Sequence, residues 1–338
     1  MSSVDGLDFS RMIQPVPATA CLIDSDYYIW CAAMVRDDRR VCHLFYSRWP
    51  RVRGFHAWVT HSEVAHAVAD TPLGPYRHVD VALSPRGADY WDGQCTHNPT
   101  VLEADGKYYL YHMGTRGDDV DEAADPAAVS WQYRNRQRIG VAVADHPAGP
   151  WKRFDRPIID VAPDANAPDA LMVSNPSVTR RPDGRFLMVY KAVGRQAPLP
   201  FGGPVVHCLA LADTPAGPFI KQPGLAFTAP GEPFPAEDPF IWYHTEHGCY
   251  YAIVKDMKGV FTGAGTSLAL FRSADGLDWR PAPHPLISPL RIPWAGGPQQ
   301  VARLERPQLW FDQGRPAVLF LAACLDERHS FSVHIPLA

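Results

Sequence analysis

The chain has 338 residues and a formal net charge of −4, from 36 acidic and 32 basic side chains that form no block of one sign. That balance gives no support to nucleic-acid binding or to a membrane-surface role, and no apolar run approaches the length of a membrane span. Residues 1–8 lack a basic start and an apolar core, so the sequence reads as a soluble chain without a secretory leader, expected in the cytoplasm.

In chain order, the first strong pattern is Asp26-Tyr27-Tyr28-Ile29, followed by an apolar strand, a polar turn at Asp37-Asp38-Arg39-Arg40 and a second strand over 41–46. The same line returns as Asn98-Pro99-Thr100-Val101, Asn175-Pro176-Ser177-Val178, Asp238-Pro239-Phe240-Ile241 and Arg306-Pro307-Gln308-Leu309. The intervals are 72 residues (26 to 98), 77 (98 to 175), 63 (175 to 238) and 68 (238 to 306). The later copies run into turns at Asp105-Gly106, Asp183-Gly184, His247-Gly248 and Gln313-Gly314, and then into strands rich in aromatic and β-branched residues. A second signature starts at Val68 and reads Val-Ala-Asp-Thr-Pro-Leu-Gly-Pro-Tyr. It recurs over 143–151 and 211–219 and, in varied form, over 273–279. Its Pro and Gly set a tight turn from a third strand to a fourth.

A unit of this length with several short strands per copy predicts radial repetition of small sheets. The fold class is all-β: a five-bladed β-propeller with four-stranded antiparallel blades. The last unit offers only three strands, near 308–311, 317–321 and 331–335, whereas residues 14–23 have no blade of their own. The N-terminal strand is therefore expected to complete the last blade and close the ring. Nothing marks a domain boundary, so residues 1–338 read as one domain. Residues 116–137 read as a long loop of the kind that lines a site.

Seven scattered cysteines, none in a Cys-x-x-Cys pair, argue against a zinc knuckle or a disulfide framework. Cys42 and Cys249 sit in strand patterns as small core residues. His56, His61 and His66 lack a metal-ligand spacing and read as surface or packing residues, so no metal site is assigned. No cofactor is required, although a calcium or other ion in the channel is compatible with such a fold.

A propeller gathers the starts of its innermost strands at one mouth, so the carboxylates at those starts, Asp26, Glu237, Asp238 and Glu305, become candidates for one pocket. Two carboxyls across a pocket, one ionised and one protonated, are what glycosidic-bond cleavage requires. Glu237 suits the acid role, because Asp238 beside it raises its pKa if they share a site. Each of these residues also has a structural reading. Asp and Asn at strand starts bond local backbone, and Glu305-Arg306 equally fits an ion pair holding blade five. Trp91, Asp92, His97, Asn98, Asn175 and Arg306 are candidate sugar contacts. Arg48, Lys191 and Lys255, each ending a second strand, either recognise hydroxyls or a carboxylate-bearing sugar, or neutralise nearby acids.

The pattern resembles the five-bladed propeller glycoside hydrolases, in particular glycoside hydrolase family 43 and its relatives. The resemblance implies a general base at the Asp opening blade one. Asp26-Tyr27-Tyr28-Ile29 is similar to that motif but lacks its proline. It implies a general acid in an E-x-P-apolar motif on blade four, matched by Glu237-Asp238-Pro239-Phe240. A third acid normally opens blade three, where this chain has Asn175. Asp238, Asp92 or Asp169 are the substitutes considered, and Glu305-Arg306-Pro307-Gln308 forms a second E-x-P-apolar motif. The combined reading is an inverting glycoside hydrolase, exo-acting on a small sugar or furanoside. A non-catalytic carbohydrate-binding propeller and a phosphorolytic relative are the alternatives. The expected partner is a carbohydrate, with no nucleic acid and no membrane, and the oligomeric state is left open.

Overall fold

Five four-stranded antiparallel sheets each begin with a long strand nearest a common axis: Tyr27–Arg36, Cys95–Ala104, Met172–Arg180, Ala236–His244 and Arg303–Asp312. This computed structural model describes residues 6–117 and 130–338. Each inner strand touches the inner strands of the blades on either side, and the last touches the first, so the sheets form a closed ring. No helix among the described residues is long and apolar enough to cross a membrane.

Closure follows the expected route. Blade V supplies Arg303–Asp312, Arg315–Cys324 and Ser330–Pro336, and Cys21–Leu22 adds the fourth strand, with Cys21 opposite Val333 and Leu22 opposite Ser332. The chain's two ends thereby hold each other and cover an edge that would otherwise be open to pairing. The apolar alternation of the strands fills the wedges between blades. Phe45, Val64, Leu110 and Ala142 join blades I and II. Tyr111, Ile139, Val173 and Met188 join II and III, and Leu187, Val189, Ile241 and Phe271 join III and IV. Tyr251, Ile253, Leu319 and Val333 join IV and V, with Phe9 from the N-terminal segment buried among them. Leu22, Ile29, Leu44 and Phe320 join V back to I.

The repeated line has a structural cause. Each inner strand carries a β-bulge at the same place: between Trp30 and Ala33, His97 and Thr100, Ser174 and Ser177, Glu237 and Phe240, and Glu305 and Gln308. The residue in each bulge has positive φ: Cys31 (55°), Asn98 (54°), Asn175 (51°), Asp238 (56°) and Arg306 (56°). This left-handed conformation costs an L-residue roughly 1–2 kcal/mol, and Asn and Asp tolerate it best. That preference explains three of the five choices, and the proline after four of them matches the extended strand that follows.

The bulges also correct the reading of blade I. Its copy of the line is Cys31-Ala32-Ala33-Met34, five residues beyond Asp26-Tyr27-Tyr28-Ile29. Asp26 lies before the strand begins and is exposed, with its backbone N–H donating to Asp24 Oδ1 (2.7 Å). The loop expected over 116–137 contains a short helix, Trp131–Asn135, and its residues 118–129 lie outside the described part.

Deleting residues 1–24 should uncover the edge of Ser330–Pro336 and the cavity left by Phe9. The expected result is a melting temperature lowered by roughly 5–10 °C or more and self-association in size-exclusion chromatography. An unchanged melting temperature would show that closure contributes nothing.

Candidate functional site: a cup above a ring of five bulge residues

A bulge breaks the in–out alternation of a strand, so its side chain turns toward the axis where its neighbours pack into sheets. Five bulges at one height place five side chains in a ring. The Cys31 thiol donates to Asn98 Oδ1 (2.9 Å), and the Asn98 amide donates to Asn175 Oδ1. Asn175 Nδ2 donates to Asp238 Oδ1 (2.8 Å), and Arg306 donates to the same carboxylate through Nη1 (3.0 Å) and its backbone N–H (3.3 Å). The Arg306 guanidinium faces Cys31 and completes the circle. All five residues are buried, and Arg306 Nε has no hydrogen-bond partner. The ring does not fit a calcium ion, because its amide oxygens already accept hydrogen bonds and its one carboxylate is held by a guanidinium.

One residue before each bulge stands Trp30, His97, Ser174, Glu237 and Glu305. All but Ser174 line a cavity of about 320 Å³ above the ring, within the size range of small-molecule sites. The wall has two characters. On the side of blades I and II it is aromatic: Trp30, Trp49, Phe55 and Trp58, with His97 stacked on Trp58 (5.1 Å) and bonded through Nδ1 to Ser62 Oγ (2.7 Å). On the side of blades III to V it is ionic. Lys191 of blade III pairs with Glu237 of blade IV, and Lys255 of blade IV pairs with Glu305 of blade V (2.5 Å). The two pairs are one device used twice, because Lys191 opposes Ser174 and Lys255 opposes Glu237 at the same register position. Trp131, Arg134 and Gln137 bring the long blade II connection over the rim.

The two adjacent carboxyls of blade IV are driven apart electrostatically, in the order opposite to the one expected. Burial works against ionising Glu237, yet Lys191 and then Lys255 outweigh it and hold the carboxyl well below its usual range. Burial pushes Asp238 up to about 6, with Glu237 and Glu305 adding to the rise and Arg306 opposing it. The cup therefore contains a firmly ionised carboxylate beside one that takes a proton in mildly acidic solution. Burial and the nearby Arg306 charge drive His97 well below its usual pKa, which keeps it neutral. Burial also raises the Cys31 thiol to about 12, so it is no nucleophile at neutral pH.

Nine of the residues read from the sequence meet here: His97, Asn98, Asn175, Lys191, Glu237, Asp238, Lys255, Glu305 and Arg306. Four do not. Asp26 is outside the cup, because the blade I register places Cys31 there. Arg48 turns outward to Glu63 (2.8 Å) over the Tyr27 ring. Trp91 packs on His112 and over Gly140, where a Cβ would come within 2.2 Å of its ring. Asp92 is fully buried between Arg86 (2.7 Å) and Arg153 (3.1 Å). Asp169, a substitute for the third acid, binds Lys221 and the Tyr190 hydroxyl instead. The sequence reading missed the aromatic wall. The Trp and Phe cluster at 49–58 was its visible signal, in a segment between strands rather than in the repeated line.

No protein-family model and no curated protein matches the sequence. Solved structures do match in fold. Zg3597, a family 117 glycoside hydrolase from the marine bacterium Zobellia galactanivorans, is 16% identical, with 93% of this chain and 85% of that one covered and a TM-score of 0.64. CoXyl43, a family 43 β-xylosidase/α-arabinofuranosidase from a compost metagenome, was solved with xylotriose. It is 14% identical, with coverage of 96% and 94% and a TM-score of 0.57. An α-L-arabinofuranosidase from Lactobacillus brevis is 11% identical, with coverage of 95% and 94% and a TM-score of 0.60. The chain thus has the fold of the five-bladed propeller glycoside hydrolases of families 43 and 117.

The raised pKa of Asp238 has a thermodynamic consequence. The folded chain binds this proton more tightly than the unfolded one, so the contribution is present at low pH and is lost as pH rises from about 4 through about 6. Glu237, depressed, acts in the opposite sense below its unfolded value of 4.5. Asp238→Asn, which suits the left-handed backbone, should flatten the limb of the stability–pH curve between about 4 and 6. Urea denaturation at a series of pH values measures this, and an unaltered limb would place the titration elsewhere.

Proposed function

We propose that this chain is a glycoside hydrolase that binds its sugar in the cup above the ring. The reading rests on one observation: Glu237, Asp238 and Glu305 converge in a single cavity in which burial and two lysines separate the proton affinities of two adjacent carboxyls. The aromatic side suits the C–H faces of a sugar ring, and the ionic side suits its hydroxyls. Glu237, ionised and 18% exposed at its side chain, is the carboxylate that draws a proton from the attacking water. Asp238 is the group that delivers a proton to the leaving oxygen. Glu305 holds Lys255 in place, and Lys255 keeps Glu237 charged. These roles replace those expected from the sequence, in which Asp26 was the base and Glu237 the acid.

A second reading has its own support. Blade I presents Cys31, a buried thiol of raised pKa, where the resembled enzymes place an aspartate. On that reading the cup binds carbohydrate without cleaving it.

A panel of aryl glycosides and furanosides separates the two readings. For a hydrolase, one conjugate is turned over, and Glu237→Gln, Asp238→Asn and Glu305→Gln are assayed on it. The first two should reduce kcat by about 10²–10⁴-fold while sugar binding, followed by calorimetry, persists. Unchanged turnover in both would sink the assignment. Binding without any turnover in the wild type, abolished by Trp58→Ala, establishes the binding module.

A further inference from the structure

Blade I carries a second constellation at the end opposite the cup. Its inner strand runs from Trp30 at the cavity to Arg36 at the far end, and Asp37 follows in the turn. Asp37, His43 and His146 each bring one ligand atom within 4.8 Å of the others, the one such group found among the described residues. Asp37 and His43 are 8% and 3% exposed. His146 is half-exposed and comes from the turn after the third strand of blade II.

The distances are long for charge-assisted hydrogen bonds. Asp37 Oδ2 lies 3.4 Å from His43 Nε2 and 3.5 Å from His146 Nε2, against about 2.7–2.9 Å for a charge-assisted bond. Ligand bonds of about 2.0–2.1 Å to a tetrahedral ion put neighbouring ligand atoms roughly 3.3–3.4 Å apart, which the two separations from Asp37 match, the two histidine nitrogens lying within 4.8 Å of each other.

The surrounding bonds assign the protons. Asp80 Oδ1 lies 3.2 Å from His66 Nδ1, which therefore carries a hydrogen, and His66 Nε2 is left to accept from His43 Nδ1 (2.9 Å). Both rings are buried, which favours their neutral forms. His43 Nε2 then turns a lone pair toward the Asp37 carboxylate, whose other oxygen is fixed by the Val41 N–H (2.8 Å). His146 Nδ1 accepts from the Ala148 N–H (3.1 Å), so its own proton sits on Nε2. With both rings neutral, two imidazole nitrogens and one carboxylate oxygen thus converge with a single hydrogen among them.

We propose that Asp37, His43 and His146 bind a first-row divalent transition ion, with Zn²⁺ as the probe, and that the ion ties the first turn of blade I to blade II. His66 and Asp80 form the outer relay that orients His43. Two imidazoles and one carboxylate favour zinc over calcium or magnesium, which prefer oxygen alone. On ligation the His146 proton moves from Nε2 to Nδ1 and the Ala148 contact opens, so no proton leaves the protein. Water completes the fourth position.

Chelator-treated full-length protein, titrated with ZnCl₂ by calorimetry and followed by thermal melting, tests the site. One equivalent should bind and raise the melting temperature, whereas MgCl₂ and CaCl₂ should do neither. CoCl₂ should give a visible spectrum free of thiolate charge transfer, which sets aside the seven free cysteines. His146→Ala should weaken zinc binding roughly tenfold or more and leave the metal-free melting temperature at the wild-type value. Asp37→Asn should weaken binding likewise. Failure to bind one equivalent of zinc, or equal affinity in His146→Ala, overturns the proposal.

Discussion

One residue in each inner strand is held in the left-handed region, and the architecture of the candidate site depends on that constraint. A bulge turns a side chain toward the axis that an unbroken strand would bury between blades. Repeated five times, it builds a floor across the channel in which every side chain has a hydrogen-bonding or electrostatic neighbour. Asn98 and Asn175 meet the constraint at low cost. Cys31 and Arg306 meet it at higher cost, and each is held there by the rest of the ring.

The electrostatics of the cup follow from that floor. Because the bulge lets Glu237 and Asp238 both face the cavity, two consecutive carboxyls share one low-dielectric space, and their neighbours decide how they differ. Glu237 meets two lysines delivered by the second strands of blades III and IV. Asp238 meets one guanidinium and the like charges of Glu237 and Glu305, at greater depth. A shift of one pKa unit corresponds to about 1.4 kcal/mol of differential interaction, so the placement of the cations sets which of the two carboxyls holds a proton.

The approximate five-fold symmetry of the backbone is broken by side chains, in a graded way around the ring. Blades I and II contribute aromatic groups and a neutral histidine, and blades III to V contribute ion pairs that cross from one blade to the next. At the opposite end, blade I carries a histidine–carboxylate chain that passes through three of its strands and meets a single histidine from blade II. The two ends of the same blade therefore have unrelated chemistry, separated by the length of a strand.

The amino-acid sequence by itself determined the propeller, its blade count, the closure through residues 14–23 and the pocket membership of Glu237, Asp238, Glu305, Lys191 and Lys255. Strand periodicity, turn residues and repetition are local signals, and each survives in one dimension. Blade I was misread because its bulge residue is a cysteine without a following proline, and the nearby Asp26-Tyr27-Tyr28-Ile29 imitated the line. The distance to the next turn contained the correction: Asp105 is seven residues past Asn98, and Asp38 is seven past Cys31 but twelve past Asp26. Only the tertiary structure decided which cation meets which carboxyl, that Arg48 and Asp92 turn away from the cup, and that Asp37, His43 and His146 converge. The ion pairs of the cup and the Asp37–His146 contact join neighbouring blades across 46 to 109 positions of chain, and no spacing along the sequence encodes them.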